Sequence, residues 1–386
     1  MPVKNRFAQL HPEITAWRRD LHENPELLFD TFRTSALVEE KLRDFGCDEV
    51  VTGIGRTGVV AVIKGRSSAS GKVIGLRADM DALPIEEATG LPYASRVKGR
   101  MHACGHDGHT AMLLGAAQYL AETRNFDGTV VLIFQPAEEG GGGAKVMCDE
   151  GLMARFGIQE VYGMHNWPGM ASGQFAIRPG PFFAASDWFD IDIEGKGGHA
   201  AKPHDTVDPL VIASQLIMAL QSIVSRNADP TEQLVISVTS MRTSSDAYNV
   251  IPQKAHMHGT VRTMNNDLRV LAETRLQALC DSMGAGFGGQ INFTYTSSYP
   301  VMVNHPEQTG FAADVARRIT GQCDHAPLVM GAEDFSYMLE ERPGAYILVG
   351  NGDTAMVHSP DYDFDDAVIP VGCSWFAEIV EQRMPA

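Results

Sequence analysis

Four short apolar runs each end in, or shortly before, residues able to do chemistry. Residues 73–77 lead to Asp79 and Asp81, residues 129–134 to Glu138 and Glu139, and residues 161–164 to His165; residues 346–350 come shortly before His358. Apolar runs of this length between turn signals read as buried strands. Residues 110–122, with their apolar and Ala-rich spacing, read as a helix. Alternating strand and helix predicts an α/β fold on a mainly parallel sheet. Such sheets bind ligands beyond the carboxyl ends of their strands, so these four ends point to one shared site.

Residues 183–297 have a different texture. Residues 188–194 alternate apolar and acidic positions, as a half-exposed strand does. Asp208-Pro209 has the N-cap and first-turn chemistry that opens a helix, and its apolar face runs through Leu210, Ala213, Leu216, Ile217, Leu220 and Val224. Strand-like runs at 234–241 and 255–262, a helix over about 268–283 and a strand at 291–295 complete the order βαββαβ, the ferredoxin-like arrangement. The expected organisation is a catalytic domain of residues 1–182 and 298–386, interrupted by an inserted domain of residues 183–297.

Composition narrows the classes. At 386 residues the chain is long for one core, and 44% hydrophobic with 20% charged residues is the make-up of a globular protein. A formal charge of -17 argues against nucleic acid or an anionic membrane as partner. Residues 1–20 lack the apolar core of a secretory signal. The longest apolar stretch, 210–220, is broken by Ser214 and Gln215 and falls short of the ~20 residues that span a bilayer. A cytoplasmic enzyme is the expectation. None of the six cysteines forms a C-x-x-C pair, and a chain of this length needs no disulfide staples.

The densest chemical signal is His102-Ala103-Cys104-Gly105-His106-Asp107-Gly108-His109, which holds three of the chain's 13 histidines and one cysteine. A thiolate and an imidazole two residues apart can both address a metal from a turn. Glu138 and Glu139 stand side by side before the glycines 140–143. Adjacent carboxylates on a turn can face different ways, one toward a metal and one toward a proton. His165 and His358 supply the further donors that a site for two ions requires, and His109, at a helix start, reads as their support. Gly53-Ile54-Gly55-Arg56-Thr57-Gly58 matches a dinucleotide fingerprint by letter but precedes a strand, so that reading fails. His22, His204 and His305, each near a proline, read as turn or surface residues. A thiol hydrolase with Cys104 as nucleophile remains a rival of another class.

With these residues in view the chain resembles the aminoacylase and carboxypeptidase family of co-catalytic metallopeptidases. Within it, the subfamily of hippurate hydrolases, N-acyl-amino-acid amidohydrolases and auxin-conjugate hydrolases is most similar. The resemblance rests on Arg19-Asp20-Leu21-His22, Arg77-Ala78-Asp79-Met80-Asp81, residues 101–109, Gln135 to Gly140, Gly163 to Trp167, Gly195 to Ala201, Asn249-Val250-Ile251-Pro252, Gly331 to Phe335 and His358-Ser359-Pro360. Arg77 stands where the wider family opens its first motif with His.

The resemblance implies a catalytic domain of phosphorylase/hydrolase type with a ferredoxin-like dimerisation (lid) domain, and hence a homodimer. It implies two divalent ions, zinc or manganese with cobalt or nickel admitted, held by Cys104, His106, Glu139, His165 and His358. Glu138 is implied as general base, His199 as the group that polarises the scissile carbonyl, and Asn249 and Arg262 as substrate holders. The implied reaction is hydrolysis of small N-acyl amino acids; an N-acetyl-amino-acid deacetylase or a dipeptidase of the same family is the alternative.

Overall fold

A computed structural model describes residues 4–386, so the first three residues of the N-terminal segment lie outside the described residues. Its contacts cluster into two compact units. One holds the chain up to Gly180 together with Val303–Pro327 and Asp334–Ala386; the other holds Pro181–Met302 and Leu328–Glu333.

The first unit is built on an eight-stranded mixed sheet. Its centre consists of Thr129–Gln135, Val73–Asp79, Glu160–Trp167 and Gly344–Gly350, side by side and all parallel. These are the four apolar runs, and their burial on both faces explains why they lack polar alternation. Antiparallel partners flank them: Gly58–Lys64 joins the Thr129–Gln135 side and Phe175–Ile177 the Gly344–Gly350 side. The helix His106–Thr123 is buried on nearly every side, packed among Asn5–Glu23, Ile369–Arg383 and the sheet. That burial is why its sequence is apolar all round rather than amphipathic. The Gly53–Gly58 segment is the turn of the Glu49–Ile54/Gly58–Lys64 hairpin.

The second unit has the predicted order: strand Ala185–Glu194, helix Pro209–Ser222, strands Leu234–Thr243 and Lys254–Thr263, helix Asn266–Phe287 and strand Gln290–Ser297. The four strands pair antiparallel with Lys254–Thr263 and Ala185–Glu194 in the middle. Both helices pack on one face, over Phe189, Ile191, Ile193, Met257 and Val261. Asp208 caps the first helix by accepting the Leu210 N–H at 2.9 Å. One correction concerns the apolar stretch 210–220. It belongs to helical structure that continues past Val224 through a π turn to Asn227, and the resulting 19-residue Pro209–Asn227 helix has a mean hydropathy of 1.3, long and apolar enough to cross a membrane. Its Ile212, Ala213, Leu216 and Leu220 are spent on the core of its own unit.

Candidate active site

The carboxyl ends of the four parallel strands deliver the expected cluster. Cys104 lies in the turn before the His106–Thr123 helix, and Gly105 makes that turn at φ +83°, where a Cβ would stand 2.3 Å from the Asn166 amide nitrogen. Nδ1 of His106 faces the carbonyl of Asp81 at 2.8 Å, and Nδ1 of His165 faces that of Asn166 at 2.6 Å. A ring nitrogen that donates to a carbonyl leaves the other with its lone pair free for a metal. Nε2 of His165 accordingly stands 3.3 Å from the Cys104 sulfur. Nε2 of His358 lies 3.3 Å from Oε1 of Glu139. His358 itself adopts φ +67°, a costly conformation for a non-glycine residue, and its N–H is tied to the Ala103 carbonyl at 2.7 Å.

The site fits a cation. Nε2 of His106 is buried without a hydrogen bond, yet lies 3.7 Å from Asp79 and 4.0 Å from both Glu138 and Glu139. Burial opposes charge on His106, but Asp79, Asp81 and Glu139 outweigh it and raise its pKa to about 10. A positive charge is therefore favoured there. Burial, with Glu139 and Glu138 nearby, pushes the Cys104 thiol well above its ordinary range, so a thiolate at this position needs a cation beside it. Burial and the neighbouring His109 hold His165 well below its usual value, as the neutral imidazole a metal takes. Cys104, His106 and His165 group within ligating distance, as do Cys104, Glu139 and His358, so the thiol is common to two sets of donors.

The glutamate pair owes its position to a residue that the sequence reading left without a role. The Asp81 carboxylate accepts the backbone N–H of Glu138 at 2.9 Å and of Glu139 at 3.1 Å. Ala137 just before them has φ +57°, and at Gly143 a Cβ would meet the Pro136 carbonyl oxygen at 1.7 Å. The glycines therefore let the chain fold back against itself under the pair.

Behind the donors stand buried ionic groups. His109 bonds Asp79 through Nδ1 at 2.6 Å and accepts the Asn166 N–H at Nε2, so both its nitrogens are engaged in support. Arg77 bonds Asp79 at 2.8 Å, Asp334 at 2.9 Å and Gln135 at 2.8 Å. The charge in the otherwise apolar run 73–79 was the signal for this cluster. His22 corrects its assignment to the surface: it is fully buried, 2.8 Å from Asp107, which Arg18 also contacts.

The remaining three expected residues belong to the second unit. His199 pairs with Val250, and the Ala200 N–H bonds the Asn249 carbonyl at 3.0 Å, so Asn249, in the turn before the strand Val250–Ile251, comes beside His199. Arg262 lies half-buried in Lys254–Thr263, where its guanidinium donates to Thr260 and to the Val261 carbonyl. Burial lowers its pKa, against the opposing charge of Asp187.

The model of peptidase family M20/M25/M40 matches residues 75–382. The chain is 42% identical to a hippurate hydrolase of Campylobacter jejuni, covering 97% of each, and 39% identical to an N-acetylcysteine deacetylase of Bacillus subtilis, covering 96% of each. A solved Bacillus subtilis structure, described as a dinuclear metal-binding peptidase of family M20, superposes with a TM-score of 0.85 at 35% identity, over 98% of this chain and 99% of that one.

Proposed function

The chain belongs to peptidase family M20/M25/M40, and on that footing we propose that it is a metal-dependent amidohydrolase of N-acyl amino acids, with hippurate-type compounds its first substrates. One observation carries the reading. The buried Cys104 thiol is common to two donor sets, one with His106 and His165 and one with Glu139 and His358, and the unbonded His106 nitrogen has a second carboxylate, Glu138, 4.0 Å from it.

Cys104, His106, Glu139, His165 and His358 would hold two divalent ions, zinc or manganese with cobalt or nickel also suited to these donors. When bound, such ions supply Lewis acidity that polarises a carbonyl and acidifies water. Glu138 takes the proton of the attacking water and passes it to the departing amine. The amide C–N bond breaks, hydroxide oxygen joins the acyl carbon, and a carboxylic acid and a free amino acid leave. His199 donates to the developing oxyanion, where a preorganised donor matters most. Asn249 holds the substrate near its carbonyl, and Arg262 pairs with its carboxylate through a planar fork.

The same reading makes the protein a cytoplasmic homodimer. Its six cysteines are all unpaired, as thiols in a reducing compartment are. The helix Pro209–Ser222 exposes Val211 and Met218, apolar surface suited to a subunit contact.

The test is a hydrolysis screen over N-benzoyl, N-acetyl and indole-acetyl amino acids and dipeptides, with each metal restored after chelation. Activity lost to chelator, regained with metal and highest on N-benzoylglycine is expected. An N-acetyl or dipeptide optimum would move the assignment within the family. Activity that survives the chelator and dies with a thiol alkylator would point to Cys104 as nucleophile and overturn the metal reading.

A further inference from the structure

A second group of metal-ligating side chains lies on the open face of the inserted sheet, opposite its helices. His256 and His258 are two apart on the strand Lys254–Thr263, so their side chains share a face, while Met257 between them enters the core. On the neighbouring strand Ala185–Glu194, Asp190 pairs in register with His258 and Asp192 with His256. A ligand atom from each of Asp190, His256 and His258 lies within 4.8 Å of the others. Nε2 of His256 is 3.5 Å from Oδ1 of Asp190. That separation is close to the edge of a zinc tetrahedron, about 3.4 Å for bonds of ~2.0–2.1 Å.

The surroundings resemble those of built metal sites. The other nitrogen of His256, Nδ1, lies 2.9 Å from Oδ1 of Asp192. A carboxylate on the far side of a histidine fixes its tautomer and aims the free nitrogen at a metal. Beside His258 the flanking strand Leu234–Thr243 shifts register between Val238 and Ser240, and bulges of this kind re-aim side chains. An ordinary cross-strand ion-pair ladder would need neither the second imidazole in the same cluster nor a separate carboxylate for each nitrogen of His256. The facing charges leave room for a cation. Lys254 is paired with Glu194 at 3.4 Å, and Arg242, in register with His256 on the outer strand, is separated from Asp190 and Asp192 by the strand that carries the histidines.

We propose that Asp190, His256 and His258 form a further divalent transition-metal site, of the zinc class, with Asp192 as its positioning residue. Three protein donors leave a fourth coordination position toward solvent, and the side chains of Asp190 and His256 are 49% and 38% exposed, so the metal exchanges freely with the medium. The site lies within the second unit, shares no residue with the donors around Cys104, and does not rest on the proposed hydrolysis.

The probe is zinc alone, added to the full-length protein. Equilibrium dialysis with elemental analysis is expected to give one zinc more per chain for the wild type than for His258→Gln or Asp190→Asn, each checked for folding by circular dichroism. Asp192→Asn is expected to keep the count at saturation but to need several-fold more zinc. Ring-nitrogen NMR of the wild type gives a second readout that depends on no variant: His256 and His258 should shift together as zinc is added. Equal zinc counts in wild type and folded variants, or unmoved His256 and His258 resonances at excess zinc, would overturn the proposal.

Discussion

Nδ1 of His22 lies 2.8 Å from Oδ2 of Asp107, and neither side chain is accessible to solvent. Burial alone would keep the imidazole neutral, but the hydrogen bond and charge of Asp107, with help from Glu87, raise His22 to about 9. Asp107 in turn is held well below the carboxylate range by the same partner, against its own burial. The pair joins the N-terminal helix to the first turn of the helix that follows Cys104.

This pair predicts the shape of stability against pH. Folding raises the His22 pKa above its ordinary 6.5, so its contribution is complete below that pH and is lost as pH rises through about 9. The Asp107 contribution runs the other way, present above its ordinary 3.8 and lost as pH falls toward its depressed value. Urea unfolding between pH 6 and pH 9.5 is expected to show a decline of at most roughly 3 kcal/mol from His22, at ~1.4 kcal/mol per unit for one proton. His22→Gln should flatten that slope. An unchanged slope in the variant would remove His22 as its source.

The adjacent glutamates are expected to separate binding from turnover. Glu138→Gln should retain its metal and lose about 10²–10⁴-fold in kcat, the range of a general acid–base group. Glu139→Gln should lose metal, because a neutral amide replaces a charged donor. Elemental analysis and steady-state kinetics on the two variants decide between this assignment and its reverse.

Asp81→Asn should damage the same pair from beneath. A carboxylate accepts two N–H groups, whereas an amide offers one oxygen and sets an NH2 against the other donor. The expected cost is about 1–3 kcal/mol for the unsatisfied group. It should be read as a lower unfolding midpoint together with reduced kcat on N-benzoylglycine. Full activity and stability in Asp81→Asn would show that the Glu138–Glu139 turn holds its shape without this anchor.

Arg262→Ala should raise KM for N-benzoylglycine far more than for its amide analogue, which lacks the carboxylate. Arg262 already bears the cost of partial burial, and a substrate anion would offset it. Equal effects on the two substrates would exclude carboxylate recognition.

How much of this was legible in the sequence depended on the range over which each signal acts. The four parallel strands show as apolar runs because burial on both faces leaves a local mark. The inserted βαββαβ order shows because its strands alternate and Asp208-Pro209 caps a helix by chemistry local to three residues. Cys104 and His106 declare themselves by spacing. His22 does not, because its partner Asp107 is far along the chain and the nearby Pro25 suggests a turn. Arg77 signals an anomaly within an apolar run, but Asp334 as its partner follows only from tertiary structure. Leu328–Glu333 carries no local sign that it clusters with the second unit, where Phe183 and Val329 form a parallel bridge. The π turn after Ser222 is equally silent, since Ile223 and Val224 read as ordinary helix.

The parallel pairing of Glu160–Trp167 with Gly344–Gly350 also sets an order on biosynthesis. Cys104, His106, Glu139 and His165 leave the ribosome early, but the strand that closes their side of the sheet and leads toward His358 is made after the whole inserted domain. Until then the nascent chain carries a thiol, two imidazoles and a carboxylate whose final neighbour has not been made. On the proposed ligand set, complete metal loading therefore waits until His358 has been made. Loss of even a short C-terminal portion that included His358 would leave an open chelating edge rather than a weakened enzyme.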